Sequence, residues 1–197
     1  MYIGIEGPNF SGKTTLSKII EQHYIDLGRR VSIVTGISKL HPLGELIHND
    51  GRLYKNPAIV NDLMIAAEKY FYYYNVILPK LNSQEIVISD RYLVTCVAYN
   101  YLYGLDPELT WRIYESLPKA NLIIYLRVDE DILMERMKER RNLSFTELKF
   151  SRKQELAAFE MAVDFMQKKG VHVFIVEQTT DQAALENLMS FLHSAIE

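Results

Sequence analysis

The sequence predicts an α/β fold in which a five-stranded parallel sheet is covered by helices on both faces. Five short apolar runs alternate with segments whose apolar residues have helical spacing. Apolar runs without polar alternation are typical of parallel strands buried on both faces. The alternation of strands and helices predicts helical crossovers between those strands. With 197 residues, we expect one domain over residues 1–197.

The strands are predicted where apolar and β-branched residues cluster between turn residues or helical segments. The third run ends in Ser89-Asp90, which places polar groups at one end of that strand. In chain order the predicted strands are Tyr2–Ile5, Val31–Val34, Ile86–Ile88, Leu122–Leu126 and Val171–Val176.

The helices are predicted from apolar residues three and four positions apart. In the first helix Leu16, Ile19, Ile20 and Tyr24 share one side, and Gly28 is a plausible stop. Pro79 predicts a bend near the end of a long third helix. In chain order the predicted helices are Lys13–Leu27, Leu43–His48, Ala58–Leu81, Pro107–Ser116, Glu130–Arg141, Arg152–Lys169 and Asp181–Ile196.

Composition excludes several classes of protein. The net charge of −3 argues against a sequence-independent nucleic-acid binder, which needs a basic face. The single cysteine, Cys96, excludes an intrachain disulfide and disfavours a cysteine-ligated zinc site. No apolar run reaches the roughly 18 residues of a membrane span, and the first residues do not resemble a signal peptide. We expect no membrane partner and a cytoplasmic setting.

The segment Gly7-Pro8-Asn9-Phe10-Ser11-Gly12-Lys13-Thr14 follows the first strand and opens the first helix. It matches the G-x-x-x-x-G-K-[ST] pattern of a phosphate-binding loop, or P-loop. Its backbone N–H groups and the helix N-terminus favour phosphate, Lys13 neutralises phosphate charge, and Thr14 ligates Mg²⁺. We expect nucleotide contacts from Gly7, Asn9, Phe10, Ser11, Gly12, Lys13, Thr14 and Thr15.

Asp90 follows an apolar strand at the edge where parallel sheets bind ligands. It is a second candidate for holding Mg²⁺, usually through water. The alternative is an ordinary polar residue that begins a loop.

The segment from Asp90 to Asn100, D-R-Y-L-V-T-C-V-A-Y-N, resembles the D-R-Y/F-x-x-S-x-x-A-Y-Q segment of the thymidylate kinases. The stretches 3–7, 42–45, 63–81 and 126–140 resemble the same family in the same order, so the resemblance covers nearly the whole chain. It implies a three-layer P-loop fold with a short helical lid, at approximately 136–152. It also implies transfer of the γ-phosphate of ATP, with Mg²⁺, to a nucleoside 5′-monophosphate, and a homodimer.

Arginines are expected to carry the transfer, which needs positive charge and positioning. Arg91 is expected to clamp the acceptor phosphate with both arms of its guanidinium. The P-loop contains no arginine, so Arg140 or Arg141 of the lid is expected to act in catalysis, beside Lys13. Arg136, one helical turn before Arg140, is expected to contact ATP. The alternative for these three arginines is a solvated helix face paired with neighbouring glutamates.

The sequence departs from the family around the acceptor. Asn9 stands where an acidic residue is usual, and Phe10 where small residues are common. The family's R-E-P-G-G segment is missing, which leaves Lys39 as the nearest cation, and Lys69 replaces an arginine. These departures predict an altered acceptor site, for dTMP or a related pyrimidine nucleotide. The expected acceptor contacts are Asn9, Lys39, Lys69, Tyr70, Arg91, Thr95, Tyr99 and Asn100.

Two other readings stay open on the sequence alone. A deoxynucleoside kinase shares the loop and an acid–arginine pair after a central strand. The second alternative is a catalytically weak nucleotide-binding protein with a diverged acceptor site. The aromatic run Tyr70–Tyr74 is expected to pack partly in the core or a dimer contact, with acceptor stacking as the alternative.

Overall fold

In the computed structural model, which describes residues 1–38, 42–49, 56–177 and 182–194, five parallel strands form one sheet in the order β2-β3-β1-β4-β5. This confirms the fold class predicted from the sequence. Ile5 of the central strand is paired with Asp90, and Glu6 with Tyr125, so the carboxyl ends of the strands share one edge. The strands are β1 (Tyr2–Glu6), β2 (Val31–Thr35), β3 (Ile86–Asp90), β4 (Leu122–Arg127) and β5 (Val173–Glu177).

The helices pack on both faces of this sheet because the strand side chains alternate between two apolar clusters. Tyr2 and Ile123 belong to one cluster, which α3, α5, α6 and α9 cover. Ile3 and Ile124 belong to the other, under α1 and α10. The helices are α1 (Lys13–Asp26), α2 (Pro42–Asn49), α3 (Ala58–Tyr72), α4 (Leu78–Asn82), α5 (Leu93–Leu102), α6 (Pro107–Tyr114), α7 (Glu130–Lys138), α8 (Phe145–Lys149), α9 (Arg152–Lys168) and α10 (Gln182–Ser194).

The long helix predicted over 58–81 is divided by a π-helical turn, Tyr73–Ile77, which joins α3 to α4. Pro79 explains the interruption, since it cannot donate to the carbonyl four residues earlier and its ring crowds that carbonyl in a regular helix. Within the turn, the Asn75 side chain donates from Nδ2 to the backbone oxygen of Phe71 at 2.7 Å. The helical winding therefore changes shortly before Pro79, over Tyr73–Ile77.

No helix was predicted at α5, and α8 lies within the helical lid expected at approximately 136–152. The α5 segment is rich in β-branched residues, and its first turn is stabilised by Glu6 of β1, which lies far away in sequence. Short α8 begins at a capping box in which Ser144 and Glu147 bond each other's backbone N–H groups. The predicted helix over 130–141 ends earlier, at Lys138, and β5 begins at Val173 rather than Val171. No helix in the described part of the chain is long and apolar enough to cross a bilayer.

Candidate active site

The P-loop lies at the carboxyl end of the central strand and curls because two glycines adopt left-handed backbone angles. Gly7 has φ 151° and Gly12 has φ 100°. A Cβ atom on Gly7 would lie 2.8 Å from Ser11 Oγ and 3.0 Å from the Leu126 backbone oxygen, so no larger residue fits there. Among the described residues no side chain caps the first turn of α1. Its N–H groups are therefore available to an anion.

Lys13 points into this loop. Its Nζ donates to the Pro8 backbone oxygen at 2.6 Å and to Ser11 Oγ at 3.4 Å, and the side chain is buried. Burial, together with the positive charge of Arg91, lowers the pKa of Lys13 to about 7. A phosphate in the loop would oppose both effects by supplying negative charge. The loop is thus arranged to hold the lysine at an anion.

Thr14 and Asp90 meet beside the loop. The Thr14 hydroxyl donates from Oγ1 to Asp90 Oδ2 at 2.9 Å. A hydroxyl and a carboxylate are the oxygen ligands that Mg²⁺ prefers, and Mg²⁺ is usually held by one or two carboxylates, waters and substrate phosphates. Within the ranges that the structure describes, no group of three acidic, histidine or cysteine side chains forms a fuller cage. The pair therefore fits a magnesium ion that a nucleotide brings with it.

Arg91 stands between the loop and the neighbouring cavity. Its Nη2 donates to Asn9 Oδ1 at 2.6 Å, and its Nη1 donates to the Gly7 backbone oxygen at 3.2 Å. The guanidinium lies 5.8 Å from the centre of the Tyr99 ring. The backbone of Arg91 has φ 77°, a left-handed angle that costs free energy in a non-glycine residue and recurs at functional sites. This turn aims the guanidinium at the loop.

Glu6 fixes that turn, and sequence reasoning gave it no definite role. Its carboxylate is fully buried and accepts from the N–H groups of Tyr92 and Val94 at 2.9 Å each. It also accepts from the Thr95 hydroxyl at 2.5 Å. Burial raises the pKa of Glu6, while the bond from Thr95 opposes that shift. Glu6 therefore serves as a long-range cap for the start of α5.

A cavity of about 450 Å³ opens on the other side of Arg91. That volume lies within the range of small-molecule sites. The cavity is lined by six of the residues predicted to contact the acceptor: Asn9, Lys69, Arg91, Thr95, Tyr99 and Asn100. The structure therefore brings together side chains from the P-loop, α3 and α5.

Two cavity residues are oriented by bonds to neighbours. Lys69 Nζ donates to the Gly36 backbone oxygen at 2.8 Å and lies 5.6 Å from the centre of the Tyr92 ring. Asn100 Nδ2 donates to Thr110 Oγ1 at 3.2 Å. A cation and an amide are thus held at the cavity wall.

Of the two remaining residues predicted to contact the acceptor, Tyr70 is described by the structure and Lys39 is not. Tyr70 does not line this cavity among the described residues; its hydroxyl donates to the Ile113 backbone oxygen at 3.1 Å. Five consecutive aromatic residues of a helix cannot all point to one side. Tyr70 packs against α6, and the preceding residue, Lys69, faces the cavity. Lys39 lies outside the described residues. Tyr72 and Tyr73 are buried, as expected for core packing.

Sequence reasoning missed the groups at the far wall of the cavity. Asp62 is buried and its Oδ1 accepts from the Tyr114 hydroxyl at 2.7 Å. Burial raises the pKa of Asp62. Burial also raises the pKa of the Cys96 thiol to about 12. The polar run Asn61-Asp62 at the start of a helix was the available signal.

Glu155 was also missed, although it contacts the P-loop directly. Its Oε1 accepts from the Asn9 backbone N–H at 2.8 Å and from the Tyr99 hydroxyl, and its Oε2 accepts from Arg152. Asn9 in turn donates from Nδ2 to Tyr99 at 2.8 Å. A carboxylate from α9 thus stands beside position 9, where the loop itself carries an uncharged amide.

Two of the three arginines that were assigned to a lid approach Phe10 of the loop. Arg136 Nη1 donates to the Phe10 backbone oxygen at 2.9 Å. Arg140 donates to the buried Glu147 carboxylate at 2.9 Å, and its guanidinium lies 5.6 Å from the centre of the Phe10 ring. Arg141 is exposed and lies beyond the end of α7. Thr15, in the first turn of α1, is also exposed.

Comparison with known proteins gives consistent matches. The sequence model of the thymidylate kinase family matches residues 5–186. A probable thymidylate kinase of Pyrococcus horikoshii is 28% identical over 152 residues, covering 73% of this chain and 72% of that protein. Probable thymidylate kinases of Pyrobaculum calidifontis and Archaeoglobus fulgidus are each 31% identical, over 166 and 157 residues, covering 78% of both chains in each case.

These matches favour a monophosphate kinase over the deoxynucleoside kinase and the binding protein that the sequence left open. They agree with a P-loop at the carboxyl edge of a parallel sheet and with an arginine between that loop and a cavity. The chain therefore belongs to the thymidylate kinase family, whose members are ATP-dependent nucleoside monophosphate kinases.

Proposed function

We propose that this protein transfers the γ-phosphate of ATP to the 5′-phosphate of dTMP or a related pyrimidine nucleotide. The observation that carries the proposal is the position of Arg91, whose guanidinium bonds the P-loop and lines the 450 Å³ cavity. Two phosphates bound on either side of Arg91 would share one cation. That arrangement suits phosphoryl transfer, which depends on positioning and on neutralising charge.

On the donor side, Lys13 and the loop N–H groups would hold the ATP phosphates, with Gly7 and Gly12 shaping the loop. Phosphate oxygens would replace the Pro8 carbonyl that Lys13 Nζ contacts at 2.6 Å. Thr14 and Asp90 would hold Mg²⁺, which supplies neutralisation of phosphate charge when it is bound. Thr14 Oγ1 and Asp90 Oδ2 are 2.9 Å apart, so both oxygens could face the same ion.

On the acceptor side, Arg91 would donate both arms to the acceptor phosphate, as its fork geometry allows. Asn9 and Tyr99 orient that guanidinium through a 2.6 Å bond and a ring contact. Lys69, Thr95 and Asn100 would face the base and the sugar. Lys69 carries a compact charge with rotatable hydrogen-bond donors, whereas an arginine presents a rigid fork. Lys69 would therefore accept a wider range of positions of the base than an arginine would.

We propose that residues 136–152 act as a lid. Ser144 and Thr146 of this segment line the acceptor cavity, while Arg136 and Arg140 reach the P-loop at Phe10. One segment therefore touches both substrate sides. Arg140 is the better candidate for the catalytic lid arginine than Arg141, because Arg140 already lies at the loop.

We also propose a homodimer through α3. Its outward side exposes apolar side chains, among them Leu63 at 51% and, just beyond the helix, Tyr74 at 51%. Phe71, at 40% exposure, lies on the same helix. Light scattering coupled to size-exclusion chromatography would test this; a monomer at micromolar concentration would contradict it.

The acceptor is tested by ADP release from ATP and Mg²⁺ across nucleosides, NMPs and dNMPs. We expect dTMP or another pyrimidine deoxynucleotide to give the highest kcat/KM. Turnover of an unphosphorylated nucleoside instead would establish the deoxynucleoside kinase reading. ATP binding without transfer to any member of the panel would establish the binding protein. Arg91→Lys is the matched variant, since it keeps the charge and removes the fork; its acceptor KM should rise more than its ATP KM.

A further inference from the structure

The ring of Phe10, at the tip of the P-loop, lies close to two guanidinium groups. The central carbons of Arg140 and Arg152 are each 5.6 Å from the ring centre. Both distances are within the range of a cation–π interaction. The Phe10 backbone has φ 68°, and its carbonyl accepts from Arg136 at 2.9 Å. Three arginines of one segment thus converge on one loop residue.

The guanidinium of Arg152 is fixed in place. Arg152 is 2% exposed and donates from Nη2 to the backbone oxygens of Glu147 and Phe150 at 2.9 and 2.7 Å. It also donates to the buried Glu155. The Phe10 ring therefore lies beside a buried guanidinium that is held in place by several hydrogen bonds.

The Arg140 guanidinium is less constrained. The Arg140 side chain is 55% exposed and donates a 2.9 Å hydrogen bond from Nη1 to Glu147. A long side chain with that much exposure loses considerable rotamer entropy when it is held in one place. The Phe10 ring is the second contact that restricts its guanidinium to the mouth of the loop.

We propose that Phe10 is a positioning residue for phosphoryl transfer, which holds the Arg140 guanidinium over the P-loop through its ring face. The P-loop has no arginine of its own, so an arginine from the segment between α7 and α8 must be held beside it. This inference rests on the proposed role of Arg140. Phe10, a bulky residue at a loop tip, thereby has a function in the reaction without touching a reacting atom.

The proposal distinguishes the ring face from side-chain volume. Phe10→Leu removes the π-system while keeping an apolar side chain of similar size, whereas Phe10→Tyr keeps the π-system. We expect Phe10→Leu to lower kcat about tenfold at saturating ATP, Mg²⁺ and dTMP, with less than about a twofold change in the KM of dTMP. Phe10→Tyr should retain kcat within about twofold. Phe191 lies on α10, outside the site, and is 40% exposed. The control variant Phe191→Leu should therefore leave kcat and the KM of dTMP unchanged.

A double-mutant cycle with Arg140→Met supplies the decisive comparison. If the ring acts through Arg140, the double variant should be no slower than Arg140→Met alone. Multiplication of the two losses would overturn the proposal, and so would a Phe10→Leu enzyme as fast as wild type. If Arg140→Met keeps full kcat, the catalytic role of Arg140 fails first and the inference fails with it. Thermal unfolding of each variant separates these effects from misfolding, and Phe10→Met replaces the leucine variant if that one does not fold.

Discussion

Glu155→Gln offers the sharpest test of how the loop is attached to the rest of the protein. Glu155 and Arg152 form an ion pair in which each side chain is 1% exposed. The substitution keeps the shape of the side chain and removes its charge, so the Arg152 guanidinium stays buried with carbonyl oxygens as its remaining acceptors. Removing one partner of a buried pair typically costs ~3–5 kcal/mol. For a chain of this length that corresponds to a fall in Tm of roughly 6–20 °C.

The matched control is Glu177→Gln. Arg127 and Glu177 form a pair of similar length, 2.8 Å, but the side chains are 38% and 61% exposed. Exposed pairs contribute less than about 1 kcal/mol, so this variant should unfold almost like wild type. Urea unfolding followed by circular dichroism measures both variants.

The cycle with Arg152→Met completes the test. Replacing both partners leaves no unpaired charge, so the double variant should be less destabilised than the sum of the single changes. A Glu155→Gln protein within about 1 kcal/mol of wild type would refute the reasoning, as would simple additivity in the double variant.

Three further predictions concern the site. Gly36→Ala should raise the KM of the acceptor roughly tenfold and that of ATP less, because the new Cβ would lie 2.8 Å from Arg91 Cβ and 3.0 Å from the Asp90 backbone oxygen; equal effects on both KM values would contradict this. The Cys96 thiol, with its pKa raised to about 12, should react with iodoacetamide at pH 8 about a thousandfold more slowly than a free thiol, and faster as pH rises. Mass spectrometry measures that rate, and reaction as fast as a small thiol would exclude the burial described. Lys13→Met should lower kcat ~100-fold or more while raising Tm, because burial disfavours the ammonium in the unliganded fold; a lower Tm would contradict that reason.

The sequence could predict those parts of the site whose structure is determined by residues adjacent in the chain. The loop spacing from Gly7 to Thr14 and the acid–arginine pair after β3 are local patterns, and the sheet places both at one edge. The capping boxes at Ser144 and Ser151 are local as well, and a closer look for the S-x-x-[EQ] pattern would have found α8.

The remainder depends on contacts between residues far apart in the chain. Glu155 meets Asn9 across 146 positions, and Glu6 meets Val94 across 88. A glutamate in a charged helix segment gives no sign of which backbone N–H it will accept from. The same holds for Phe10, whose two arginine neighbours follow it by more than a hundred residues. An unusual residue at a loop tip was visible, but its partners were not.

The π-helical turn Tyr73–Ile77 sets the orientation of α3 relative to α4. On its amino side, α3 presents Lys69 to the cavity, and on its carboxyl side α4 packs against β3. Each residue of an α-helix rotates the chain by about 100°, so the wide turn sets the phase between the two faces. Deleting one residue from it would leave the sheet contacts of α4 in place and turn the cavity face toward another side. The winding of this one turn therefore sets how the cavity face of α3 is oriented relative to the core, and an insertion or deletion there would change the cavity wall without replacing any residue that lines it.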